Sequence, residues 1–143
     1  NFVVDQLKDV MAKSKRSIND TKVTVLGLSY KADVGDIRES PSLEIIKILK
    51  KQKFQVAAYD PYVEKHDLAP QAHADLDATY DDKLQASIKG ADAVIVATAH
   101  KEFINLDPET LRDAGVSIVI DGRNRLDKEA IESAGMVYRG IGR

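Results

Sequence analysis

Three short stretches carry side chains able to do chemistry. LGLSYKADVGDIRESP (26–41) places Tyr30, Lys31 and Arg38 after an apolar run that ends at Gly27. ADAVIVAT (91–98) is followed by His100 and Lys101, and VSIVI (116–120) by Asp121, Arg123 and Arg125. Cations of two kinds suit a phosphate or pyrophosphate, arginine as a planar fork and lysine as a point charge. An arbitrary lysine or arginine reads first as a solvated surface cation. Lys31 stands apart because its loop, 28–40, is long, and long loops in compact domains tend to carry function.

The first stretch looks like a phosphate loop between a strand and a helix, yet it fits neither standard pattern. A dinucleotide cradle needs G-x-G-x-x-G so that backbone amides can approach the pyrophosphate at a helix N-terminus. Here Leu28, Ser29 and Tyr30 follow Gly27, and the Gly-Lys-Ser/Thr of a Walker loop is absent too. Asp60 ends the next apolar run, FQVAAY (54–59), where dinucleotide folds place the acid that holds the ribose. Without the glycines, Asp60-Pro61 reads first as a turn.

Nothing in the sequence makes a persuasive nucleophile or base. Ser29, Ser40 and Ser42 have no identifiable His/Asp constellation, and Ser40 before Pro41 is better explained as a helix cap. Asp33/Asp36 and Asp81/Asp82 could pair as acid–base carboxylates but read more readily as turn and N-cap residues. His100 reads as a surface-loop residue before a ligand contact. The chain has no cysteine, which excludes disulfides, thiolate metal sites and cysteine nucleophiles. His66, His73 and His100 have no metal-ligand spacing, so no metal is expected. No catalytic residue is assigned.

The elements that must position these residues follow from periodicity. Val3, Leu7 and Val10 mark one face of a helix over 2–15. Strands are predicted at 22–27, 54–59, 91–98 and 116–120, with an edge strand near 136–139. Helices are predicted from Pro41, over 81–89, from Pro108 and over 127–134; no element is assigned within 62–80. Strands alternating with helices, joined by right-handed crossovers, imply an α/β fold. The expected form is a Rossmann-like, doubly wound parallel sheet in three α/β/α layers. Ligands of such sheets bind beyond the carboxyl ends of the strands. That rule puts Lys31 and Arg123 on one edge despite their separation in sequence.

The 143 residues, 43% hydrophobic and 31% charged with a net charge of −2, fit one soluble domain. The mixed charge argues against nucleic acid as a partner. No long apolar run suggests a membrane span, and no signal peptide is expected. A cytoplasmic location is therefore anticipated. The chain opens at Asn1, at the edge of a helical pattern, so a longer protein is expected. The division expected is 1–19 for the end of a connecting helix and 20–143 for the domain.

Residues 23–49, VTVLGLSYKADVGDIRESPSLEIIKIL, resemble the start of the C-terminal domain of the UDP-glucose/GDP-mannose dehydrogenase family. YDPYV (59–63), ADAVIVATAHKEF (91–103) and VIDGRNRLD (119–127) resemble that domain's later motifs, in the same order. The resemblance implies an NAD-dependent oxidation of a UDP-sugar, its C6 hydroxymethyl becoming a carboxylate in two steps. It places the Gly-rich NAD domain and the catalytic cysteine outside these residues. It makes Tyr30 and Lys31 the pair that contacts the UDP part of the substrate, Arg123 a second substrate-binding residue, and Arg38 a residue that reaches NAD. It makes the opening helix the tail of a long central helix that builds a homodimer. The AHKEF stretch (99–103) looks more like members acting on UDP-N-acetyl-hexosamines than on UDP-glucose. A UDP-glucose enzyme, a stand-alone Rossmann-like nucleotide-binding or regulatory module, and a pure assembly module are the alternatives.

Overall fold

The computed structural model describes residues 1–29, 31–33, 40–63 and 79–141. The first helix, α1 (Phe2–Lys13), starts where the Asn1 side chain accepts a hydrogen bond from the Val3 amide at 2.9 Å. It buries Val4, Leu7, Val10 and Met11, the stripe its periodicity marks out. A short 3-10 turn (Ile18–Asp20) leads to β1 (Lys22–Leu26). Ser40 caps α2 (Pro41–Lys51), its hydroxyl accepting from the Ser42 amide, with Pro41 pre-set at the first helical position. Then follow β2 (Gln55–Tyr59), α3 (Leu84–Ile88), β3 (Ala93–Val96) and α4 (Lys101–Ile104). The chain continues through α5 (Pro108–Ala114), β4 (Ile118–Asp121), α6 (Lys128–Ser133) and β5 (Val137–Gly140).

The five strands form one all-parallel sheet in the order β2-β1-β3-β4-β5. This is the α/β, Rossmann-like architecture expected from the alternation of elements. Period-2 alternation divides the strand residues between two faces. Val23, Val25, Ile95 and Ile120 pack with α1 and α2; Leu26, Val94, Val96 and Val119 pack with α4, α5 and α6. Strands buried on both faces must be apolar throughout, and AVIV of β3 is buried at every position.

The chain steps one way from β1 to β2 and the other way from β1 to β3, so the strand order reverses between β1 and β3. The crevice beyond that reversal is where an open α/β sheet binds ligands. Gly27 sits at its base with φ +99°, and a Cβ there would lie 2.5 Å from Thr98 Cβ and 2.7 Å from Thr98 N. Only glycine allows the exits of β1 and β3 to approach so closely.

Two local expectations differ from the structure. The helix expected at 81–89 begins only at Leu84, with Lys83 as its N-cap. Asp81 and Asp82 therefore do not cap it; the Asp81 amide instead donates to the Ala58 carbonyl, extending the contact with β2. The single turn α4 was not expected, its four residues being too few to show a period.

Candidate functional site

The first four strands deliver residues to the same edge. Lys31 follows β1, Asp60 follows β2, His100 follows β3 and Arg123 follows β4. The β1 and β4 strands are separated only by β3, about 10 Å from axis to axis at ordinary strand spacing. Lysine and arginine side chains span such a gap. Both Lys31 and Arg123 are exposed. Tyr30 and Arg38 lie outside the described residues.

Arg123 is held rather than loose. Its amide donates to Asp121 Oδ1 at 3.0 Å, a turn closed by the aspartate two residues back. Its Nε donates to the Ala97 carbonyl at 2.8 Å, which draws the guanidinium toward the exit of β3. Its terminal nitrogens have no partner among the described residues. Gly122 lets this turn form close to β3: its amide donates to the Val96 carbonyl, and a Cβ would lie 2.9 Å from that oxygen. Asp121, one of the candidates of the third stretch, is committed elsewhere. It is fully buried and also accepts from the Leu126 amide at 2.8 Å and the Tyr138 hydroxyl at 2.7 Å.

Behind Lys31 lies a buried polar network that the sequence does not reveal. Asp60, 1% exposed, is more than a turn residue. Its Oδ1 accepts from the Tyr62 amide at 2.8 Å, which is the turn. Its Oδ2 accepts from the Leu28 amide at 2.7 Å, the Ser29 amide at 3.1 Å and His100 Nε2 at 2.9 Å. Burial pushes the Asp60 carboxyl up; the bonds from His100 and from the Leu28 and Tyr62 amides outweigh it and leave the carboxyl below its ordinary range.

His100 is not a surface-loop residue. It is fully buried, between the rings of Tyr62 (centroids 4.7 Å apart) and Phe103 (5.6 Å). Its Nδ1 accepts from the Asp33 amide at 2.7 Å, so the proton of the neutral ring is on Nε2, facing Asp60. Asp33 in turn accepts from the Lys101 amide at 2.9 Å and starts α4 in place of a side-chain cap from His100. The Tyr62 hydroxyl donates to Glu102 Oε1 at 2.8 Å, and that carboxylate pushes the phenol up to about 12.

Ser29, His100 and Asp60 superficially resemble a hydrolase triad. In a triad the base meets the serine through one ring nitrogen and the acid through the other. Here Nε2 faces both Asp60 and Ser29 Oγ (3.0 Å), and the Asp33 amide takes the other nitrogen. Ser29 is fully buried, and its hydroxyl donates to the Lys31 carbonyl at 2.9 Å. The cluster fixes the loop after β1; it has no route to a substrate carbonyl. A Ser, an Asp and a His, each just beyond the carboxyl end of a strand, were the signal that could have found it.

No group of three or more metal-ligating side chains occurs among the described residues, and no helix among them is long and apolar enough to cross a membrane.

Residues 24–128 match the UDP-binding domain of the UDP-glucose/GDP-mannose dehydrogenase family. The UDP-N-acetyl-D-mannosamine dehydrogenase of Pyrococcus horikoshii is 32% identical over 99% of this chain and 30% of its own length. The UDP-glucose 6-dehydrogenase of Rickettsia felis is 36% identical over 84% of this chain and 27% of its own. The solved structure of the UDP-D-ManNAc dehydrogenase from Pyrococcus horikoshii superposes with a TM-score of 0.82 at 31% identity, again covering 99% of this chain and 30% of that one. The chain thus spans under a third of the length of these relatives. It belongs to the UDP-glucose/GDP-mannose dehydrogenase family, with which its resemblance was read from the motifs.

Proposed function

We propose that this member of the family binds the UDP part of a nucleotide sugar for an NAD-dependent 6-dehydrogenase. The overall reaction takes the C6 hydroxymethyl of the sugar to a carboxylate. Tyr30, Lys31 and Arg123 bind the substrate, and Arg38 reaches the cofactor. One observation carries this reading: Arg123 is anchored through Nε to Ala97, with its terminal nitrogens unpartnered among the described residues, on the same sheet edge as exposed Lys31. Two cations there suit a diphosphate.

The described residues do not fit NAD as a cradle of their own. The amides of Leu28 and Ser29, which would face a pyrophosphate, donate to Asp60. No step is therefore routed through NAD here. The cofactor and the catalytic cysteine belong to a part of the protein beyond these 143 residues, leaving this chain to bind and orient. The proposed setting is a cytoplasmic homo-oligomer.

The proposed sugar is a UDP-N-acetyl-hexosamine, supported by the AHKEF stretch and by the Pyrococcus relative. The Rickettsia relative favours UDP-glucose as the second reading. Charge-assisted hydrogen bonds contribute about 1.5–3 kcal/mol each, so two of them and a ring contact fall short of the ~8 kcal/mol of micromolar affinity. The chain alone is expected to bind UDP at about millimolar strength. An NMR titration tests this: UDP should move the amides of 27–33 and 121–125. Unmoved amides at high UDP, or tight NAD binding by the chain, would overturn it. A panel of UDP-sugars with NAD, given to the full-length protein, decides between the two sugars.

A further inference from the structure

His100 is buried, titratable, and has no part in binding or chemistry as described so far. Beside it lies a strained residue. Asp33 is not glycine, yet its φ is +61°. Such a conformation costs on the order of 1 kcal/mol and persists only where its surroundings impose it. Two contacts impose it here: the Asp33 amide on His100 Nδ1 at 2.7 Å and Asp33 Oδ1 on the Lys101 amide at 2.9 Å. Lys31 is two residues away, and its own carbonyl accepts from Ser29 Oγ. The stretch around Lys31 is thus pinned at both ends to one imidazole, through Ser29 (3.0 Å from Nε2) and through Asp33.

We propose that His100 is a positioning residue for nucleotide binding. Its neutral Nε2–H ring holds Asp33 in the left-handed conformation and so sets where Lys31 presents its ammonium. The proposal rests on the reading that Lys31 meets the UDP diphosphate. What the ring must supply is an acceptor at the Nδ1 position. Protonation of Nδ1 would set one N–H against another across 2.7 Å, and the loop could not stay closed.

The distinction can be tested with two amides. Asparagine places Oδ1 near the site of Nδ1 and still accepts from the Asp33 amide. Glutamine reaches toward Asp60 with its Nε2 but leaves the Asp33 amide without an acceptor. UDP is titrated into wild type, His100→Asn and His100→Gln, with thermal melts alongside. His100→Gln should bind UDP roughly fivefold more weakly, the equivalent of one lost hydrogen bond, while His100→Asn stays within about twofold of wild type. Ring 15N shifts of the wild-type protein give a second readout that needs no variant. They should report the neutral Nε2–H tautomer, with the Asp33 amide hydrogen-bonded to Nδ1. Equal UDP affinity in the two variants, or a wild-type ring that is cationic or protonated on Nδ1, overturns the proposal. Wild-type protein that binds no UDP refutes the underlying assignment of Lys31, and the proposal falls with it.

Discussion

Replacing Asp60 by alanine should be among the most damaging single changes in the chain. The side chain is small, and no large cavity results. The loss is in hydrogen bonding. Four donors converge on the carboxylate: the amides of Leu28, Ser29 and Tyr62 and the ring of His100. Leu28, Ser29 and His100 are fully buried, and each buried donor without an acceptor costs about 1–3 kcal/mol. Water entering the vacated space relieves part of this, so the net loss should be about 3–5 kcal/mol. For a chain of this size that lowers Tm by about 10–15 °C. Asp60→Asn keeps an acceptor for the three donors on Oδ2 and turns its amide toward Tyr62, which is half-buried; about 1–2 kcal/mol is expected. Urea denaturation at neutral pH measures both. The pH dependence adds a signed check. The folded carboxyl lies below its ordinary value, so its stabilisation is present above about pH 4 and is lost as pH falls through the folded pKa. The gap between wild type and Asp60→Asn should therefore close in acid. An alanine variant within about 1 kcal/mol of wild type, or a gap that widens in acid, would refute the assignment of Asp60 as the keystone of the network.

Gly27→Ala should lose about 3 kcal/mol or more, because its Cβ would meet Thr98 N as well as the Thr98 side chain; Gly90→Ala, with φ +72° but no atom within 4 Å of its Cβ, should lose only about 1 kcal/mol in the same denaturation assay. Lys31→Ala and Arg123→Ala should each weaken UDP binding about tenfold with Tm nearly unchanged, and the double variant should abolish the UDP-induced shifts at 27–33 and 121–125. The Tyr62 phenol should ionise near 12 in a spectroscopic pH titration and return toward about 10 in Glu102→Gln, since the carboxylate that accepts its proton is gone.

Periodicity sufficed for the sheet. AVIV of β3 and IVI of β4 are apolar because both faces are covered, and Ser40-Pro41 marks the start of α2 by local chemistry alone. The presence of Lys31 and Arg123 at one edge was legible for the same reason: topology and strand ends determine it. The Asp60–His100 network was not. Its members are 40 residues apart, and each has an ordinary local explanation, a turn before proline and a polar loop residue. Only the juxtaposition of β2, β1 and β3 brings them together. Asp121 failed as a candidate for a related reason, because Leu126 and Tyr138, further along the chain, claim its Oδ2 and the Arg123 amide claims its Oδ1.

The same network accounts for the loop's mismatch with a dinucleotide motif. In a dinucleotide-binding domain the amides after β1 face the pyrophosphate, and the acid after β2 meets the ribose. Here the acid after β2 accepts the two amides after β1. Donor and acceptor that would otherwise serve a cofactor satisfy each other, with a buried histidine as third partner. The glycines of a dinucleotide motif have no role where those two amides are already taken by a carboxylate. On the proposed reading, recognition of a phosphorylated ligand falls to side chains beyond the closed loop. Lys31 after β1 and Arg123 after β4 are cations that the described edge leaves exposed. A sheet that has closed its own dinucleotide site in this way still retains the crevice at the strand-order reversal. On the proposed reading it holds a diphosphate there by charge, with the cofactor bound elsewhere.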